Sequence, residues 1–311
     1  MDRRQFVKAL GAGAIGFGVV GAVLPFAGVA PEIAITIDDF NFFGATPAVA
    51  EKRNRALLGA LSAHSGLKAA AFIAGRNVDN EVGKRLVGDW GRDGHIVANH
   101  TYSHRNYNGS DFEEYATDIL RVETLIKDQP GFTKRFRFPM LKEGNTAARR
   151  DKMRAFLKRQ GYAMGYVTID ASDWYIDERL RARLAKDPGA DPTPYKEYYL
   201  NHLWDRASFY DHLSRKVLGR SVRHTLLIHH NVLNELFLGD VLTMFLSKGW
   251  RLIGADAAFK DSVFNAAPNI LPAGESIIWA LAKESGKFND ILRYPAESDE
   301  YEKPKMDKLG L

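Results

Sequence analysis

The sequence predicts an α/β protein built on a parallel sheet, and three observations carry that expectation. Short apolar runs of β type alternate with longer segments of helical period, glycines fall where the helices should end, and ionisable residues gather just past the ends of the runs. The apolar runs are 32–37, 69–73, 95–98, 136–138, 163–169, 225–228 and 251–254. Helical periodicity covers 48–63, 80–92, 111–128, 147–160 and 235–248, with Gly91, Gly94, Gly161 and Gly249 placed to stop helices. Strands that alternate with helices in this way are joined by crossovers, so the sheet is parallel and either open or closed into a barrel. The stretch from 175 to 220, which contains Pro188, Pro192 and Pro194, reads as a helical excursion between the fifth and sixth strands.

The chain starts with something other than this frame. Arg3-Arg4-Gln5-Phe6-Val7-Lys8 has a twin-arginine pattern and is followed by an uncharged, Gly- and Ala-rich run from Ala9 to Ala30. A charged start, an apolar middle and small residues at Gly28-Val29-Ala30 read as an export signal over residues 1–30, with a periplasmic or cell-envelope destination. The run is long enough to span a bilayer, so an uncleaved anchor is the alternative, and membrane association is expected only in that case. Its glycines make it weakly hydrophobic, which suits a twin-arginine signal better. Residues 31–290 then read as one domain and 291–311 as a polar C-terminal tail. The net charge of +5 comes from interspersed charges of both signs and makes no case for a nucleic-acid partner. The absence of cysteine excludes disulfides, cysteine-ligated metals and thiol nucleophiles.

Parallel α/β sheets build their sites on the loops at the carboxyl ends of the strands. Here Asp38 and Asp39 close the first run, His100 and His104 follow the third, and Arg137 sits in the fourth. Asp170 and Asp173-Trp174 follow the fifth, and His229-His230 end the sixth. An H-x-x-x-H pair alone is more often a surface or satisfied core pair; on a helical turn, however, its two imidazoles share a face. A carboxylate added to them makes a His₂-carboxylate site with open positions, as used by zinc and other Lewis-acid metals. The paired aspartates supply that carboxylate and leave one over. Because adjacent strand residues point to opposite faces, the two can serve one site only where the strand is ending.

In order and spacing these residues resemble the polysaccharide deacetylases with a NodB-type domain, carbohydrate esterase family four. The matching motifs are Thr36-Ile37-Asp38-Asp39, His100-Thr101-Tyr102-Ser103-His104, Arg137-Phe138-Pro139, Asp170-Ala171-Ser172-Asp173-Trp174 and Leu226-Leu227-Ile228-His229, which together span residues 32 to about 255. The resemblance implies a distorted, seven-stranded (β/α) barrel carrying a metal-dependent deacetylase of N-acetylated, or O-acetylated, glycans. It makes Asp39, His100 and His104 the ligands of a divalent metal, most often zinc, and Asp38 the general base. Arg137 would hold that base ionised, His229 would protonate the leaving amine, and Asp173 would keep His229 cationic. The Met140 amide would help bind the oxyanion, with Trp174 and Leu227 walling a pocket for the acetyl methyl.

Some positions depart from the family pattern. Phe40-Asn41-Phe42-Phe43 follows the first motif where many relatives have a glycine, which predicts a narrower groove. Met140 replaces a common aromatic residue, and His230, expected to be structural, stands where many relatives have an acid. Lys142-Glu143 and the excursion lie where a sugar chain would have to pass. His64, His202, His212 and His224 carry no motif. Two other readings keep the fold: hydrolysis of another C–N bond in a small amide or ureide, and glycan binding without turnover.

Overall fold

The computed structural model describes residues 29–42, 45–292 and 298–311. The first half of the chain runs β1 (Glu32–Asp39), α1 (Pro47–Ala63), β2 (Ala70–Ile73), α2 (Gly75–Val78), α3 (Glu81–Arg92), β3 (Ile96–Asn99), α4 (Phe112–Ile126), β4 (Phe132–Phe136), β5 (Lys142–Gly144) and α5 (Ala147–Arg159). There follow β6 (Ala163–Met164), α6 (Asp173–Lys186), α7 (Thr193–Leu218), β7 (Arg223–His229), α8 (Val232–Ser247), β8 (Arg251–Leu252), α9 (Ala255–Ala258), β9 (Ala273–Gly274), α10 (Ile277–Ser285) and α11 (Lys303–Leu309). The export-signal reading and Phe43 lie outside the described residues, apart from residues 29 and 30.

β1 is the centre of the sheet. Its positions from Ile33 to Asp38 are all buried, as expected of a parallel strand covered on both faces. It pairs in parallel with β2 on one side and β7 on the other, in the order β6-β4-β3-β2-β1-β7. β8 pairs with Glu32 and Ile33, below the point where β2 joins at Thr36, and completes seven strands. The stretch after β6 leaves β4 and reaches β7 through the parallel bridge Ile169–Leu226. The ring therefore closes through a bridge rather than a full ladder, which is the distortion of this (β/α) barrel.

Two expected strands come out differently. The fourth lies at Phe132–Phe136, so Arg137 is one residue past the strand and not in it. Thr133 and Lys134 are exposed, and a strand with a polar face gives no apolar run for periodicity to find. The fifth keeps only Ala163–Met164 in ladder. The helices match more closely because their ends are marked in the side chains. Thr46 caps α1 with Pro47 at its first position, Asp111 accepts from the amides of Glu113 and Glu114 at the start of α4, and Asn231 caps α8.

Proline separates the excursion into α6 and α7, with α10 and α8 packed on α7. The C-terminal segment carries α11, whose Met306 is buried against the main core. No helix among the described residues is long and apolar enough to cross a membrane.

Candidate active site

The ends of β1, β3 and β7 and the first turns of α6 surround an open cleft of about 660 Å³. Asp38, Asp39, His100, His104 and His229 line it, so the strand ends singled out in the sequence do converge. Arg137 and Asp173 lie behind these residues, 1% and 0% exposed, each holding one of them. Asp170, expected on the same rim, is fully buried and is not part of the cleft lining.

The end of β1 explains how neighbouring aspartates reach one site. Asp39 and Phe40 both adopt left-handed backbone, φ +75° and +51°. Such a conformation costs an ordinary residue on the order of 1–3 kcal/mol and is kept where the surroundings over-determine it. Here it breaks the two-residue alternation, so Asp38 and Asp39 both face His100: its Nε2 is 3.6 Å from Asp38 Oδ2 and 3.5 Å from Asp39 Oδ1. The same turn drives Phe40 and Phe42 into the core against Trp90 and His230. Neither Phe40 nor Phe42 lines the cleft, and Asn41 borders it instead.

The histidine pair is not on a helical turn. His100 follows β3 and His104 ends a loop in which Thr101 and His104 have φ +62° and +53°. Asn99 Oδ1 accepts from the Thr101 amide at 3.0 Å, Thr101 Oγ1 from the His104 amide at 3.1 Å, and Asp118 from the amide and hydroxyl of Ser103. These side chains fold the loop back so that the two rings lie 5.0 Å apart.

Asp39, His100 and His104 offer ligand atoms within 4.8 Å of one another. His104 Nε2 is 2.9 Å from Asp39 Oδ1, yet that buried oxygen has no hydrogen-bond partner of good geometry. His100 Nδ1 lies 2.9 Å from the Arg137 carbonyl, an arrangement that puts the ring proton on Nδ1 and leaves the Nε2 lone pair facing Asp39. Three donors aimed at one point, one of them an orphaned oxygen, fit a divalent cation. Burial pushes the Asp39 carboxyl up, but the facing imidazoles, His104 first, outweigh it and hold it well below the usual range.

Asp38 is gripped from behind. Arg137 Nη1 donates to its Oδ1 at 2.6 Å and to Thr36 Oγ1 at 2.9 Å, while Nε donates to the Gly165 carbonyl at 2.7 Å. The guanidinium lies over the Phe72 ring, 3.9 Å from its centroid. Gly165 is required by this close approach, because a Cβ there would stand 2.4 Å from that ring.

Across the cleft, His229 Nδ1 is 2.8 Å from Asp173 Oδ1. The other Asp173 oxygen accepts from the His229 amide at 2.8 Å, from Asn231 at 3.0 Å and from Asn234 at 2.9 Å. Burial alone would lower the His229 pKa, but the Asp173 carboxylate overcomes it and raises it well above the ordinary value. Beside it, burial pulls the pKa of His230 down to about 3, so that ring is neutral and packs between Phe40 and Phe42, as a structural residue would. Trp174, Leu227 and Met140 border the cleft, the last with φ +53°.

Asp173 is the first residue of α6. Glu143 is not in the groove: it is 2% exposed and paired with Arg154 at 2.6 Å. The excursion does reach the cleft, through Asp177, Glu178 and Arg181. Thr36, Phe72, Gly165, Asn231 and Asn234 were missed as supporting residues. Asn231 and Asn234 carried a signal, as asparagines shortly before the helical run at 235–248; Asn231 is the one that caps α8.

The profile of the polysaccharide deacetylase family matches residues 28–164, which takes in Asp38, Asp39, His100, His104 and Arg137 and stops short of Asp173 and His229. The resemblance to about residue 255 is thus met by the profile as far as 164. A peptidoglycan-N-acetylglucosamine deacetylase of Bacillus cereus is 30% identical over 107 residues, 34% of this chain and 34% of that protein; the match spans about a third of the relative. Among solved structures, a mutant of a family-four carbohydrate esterase pseudoenzyme with restored enzymatic activity superposes with a TM-score of 0.52 at 17% identity, covering 74% of this chain and 68% of the other. The catalytic domain of a peptidoglycan N-acetylglucosamine deacetylase from Eubacterium rectale gives 0.50 at 16% identity, covering 73% and 89%. At these identities the structural likeness establishes the fold alone.

Proposed function

We propose that this chain, whose residues 28–164 match the profile of the polysaccharide deacetylase family, is a metal-dependent hydrolase removing N-acetyl groups from glycans. The observation that carries the reading is the pairing of two half-sites across one cleft: an Asp-His-His donor set beside an arginine-held carboxylate, and a histidine held by a buried aspartate. Asp39, His100 and His104 are the residues that would hold the metal, with zinc favoured by a nitrogen-and-carboxylate donor set. Such an ion polarises an acyl carbonyl and makes water more acidic.

Asp38 then acts as general base and takes the proton of the attacking water, kept in position and ionised by Arg137. His229, held cationic by Asp173, donates its proton to the departing nitrogen. An amine leaves poorly without that proton, whereas an alcohol leaves more easily. The strongly held His229 therefore favours N-acetyl over O-acetyl substrates. Trp174, Leu227 and Met140 border the cleft; on this reading the first two wall the space for the methyl group and the Met140 amide helps bind the oxyanion.

The expected result is acetate release from N-acetylated glycans, lost on treatment with a chelator and restored by a divalent metal. A metal-loaded protein that releases acetate from no acetylated glycan would overturn the reading and favour a glycan-binding role.

We also place the protein outside the cytoplasm, exported by the twin-arginine route. The support is Arg3-Arg4 ahead of an uncharged run. An Arg3→Lys/Arg4→Lys variant should accumulate in the cytoplasm as precursor, and undiminished delivery to the cell envelope, read by fractionation, would rule that route out.

A further inference from the structure

We propose that the C-terminal segment 298–311 is a clasp that positions Asp173, and that Glu302 and His202 are positioning residues for proton donation by His229. The proposal rests on the deacetylase reading for its kinetic consequences and on geometry alone for the clasp itself. Glu302 precedes α11 and is 1% exposed. Its Oε1 accepts from Arg206 at 2.8 Å; its Oε2 accepts from the Tyr198 hydroxyl at 2.8 Å and lies 3.4 Å from His202 Nδ1. All three partners are on α7. His202 Nε2 in turn accepts from the Ser172 amide at 3.0 Å, which fixes the ring proton on Nδ1, the nitrogen facing Glu302.

Ser172 is the residue before Asp173 and forms the N-terminal boundary of α6, where it makes no side-chain capping bond. Amides at a helix start have no partner within the helix and need one from outside. His202 supplies it one residue from the carboxylate that holds His229. Further along α6, Arg179 donates to Asp307 at 2.7 Å and to the carbonyl of Leu311. The last residues of the chain thus tie α6 to α7 at two points. α6 carries both Asp173 and Trp174 into the site, so a shift of its first turn moves the proton donor and the methyl wall together.

The test is His202→Leu in the full-length, metal-loaded protein, with His202→Gln as the conservative partner whose carbonyl can still accept from the Ser172 amide. His202→Leu should lower kcat about tenfold, the scale of a modest misplacement, while KM and metal content stay near wild type. The alkaline limb of the pH–rate profile should move to lower pH, because a displaced Asp173 holds the His229 proton less well. His202→Gln should recover most of the loss. A variant that melts earlier but keeps the wild-type kcat and pH profile per folded molecule would reduce the clasp to a structural role and overturn the proposal.

Hydrogen exchange at the Ser172 amide needs no substrate. Protection in the wild type that is lost in Glu302→Gln, which also serves if His202→Leu fails to fold, supports the clasp, and unchanged exchange overturns it. A wild-type protein that hydrolysed nothing would sink the deacetylase reading while the exchange result still decided the clasp.

Discussion

Asp38→Asn is expected to keep its metal and lose roughly 10²–10⁴-fold in turnover, the usual worth of a positioned acid–base group. Asn is the same shape, so the Arg137 guanidinium keeps a neighbour of the right size where Asp38 Oδ1 stands 2.6 Å away. What disappears is the oxygen pair that can accept a proton, together with the negative charge opposite a buried cation. Asp39→Asn should fail in the other order, with metal affinity falling first and activity partly restored by excess metal. The contrast follows from the end of β1. Asp39 Oδ1 is the orphaned atom between His100 and His104, whereas Asp38 Oδ1 already has a strong donor. Elemental analysis and acetate release measured on the same preparations separate the two roles. If Asp38→Asn emptied the site and Asp39→Asn left it full, the assignments would have to be exchanged.

Much of the fold was legible because helix ends are written in side chains and because a central parallel strand must be apolar on both faces. β1 and the helices α1, α3, α4, α5 and α8 fall close to where periodicity and caps put them. The fourth strand was expected too late in the chain because a strand with Thr133 and Lys134 exposed has no apolar signature. The ionisable half of the site was legible for a similar reason: charged residues at strand ends have few structural uses, and several together need an explanation.

The supporting half was not legible. Thr36, Phe72 and Gly165 become partners of Arg137 only when strands far apart in sequence lie side by side. Positive φ at Asp39, Phe40, Thr101, His104 and Met140 has no composition signal, since none of these residues is glycine. That is why the histidine pair was expected on a helical turn and lies in a loop instead. The burial of Phe40 and Phe42 was hidden for the same reason, because it comes from the turn that aligns the two carboxylates.

His100→Ala/His104→Ala should carry no metal, where the wild type is expected to carry close to one divalent ion per chain, and its turnover should fall below detection. A single carboxylate with its neighbours removed is a weak ligand, and a hard carboxylate alone does not select zinc. The loss should also be visible without substrate. In the metal-free wild type, Asp39 has a lowered pKa and His104 a raised one. The Asp39 contribution is complete above the ordinary carboxylate value of 3.8 and is lost as pH falls through its lowered pKa. The His104 contribution is complete below the ordinary imidazole value of 6.5 and is lost as pH rises through its raised pKa. Their pair therefore stabilises the metal-free fold most between those two values. The double variant lacks it, so the gap in melting temperature between metal-free wild type and variant should be widest near the middle of that window and narrow on either side. With metal added, only the wild type should gain stability, by an amount that grows with metal concentration. Elemental analysis showing an undiminished ion in the double variant, or equal stabilisation of both proteins by added metal, would move the metal site away from Asp39, His100 and His104.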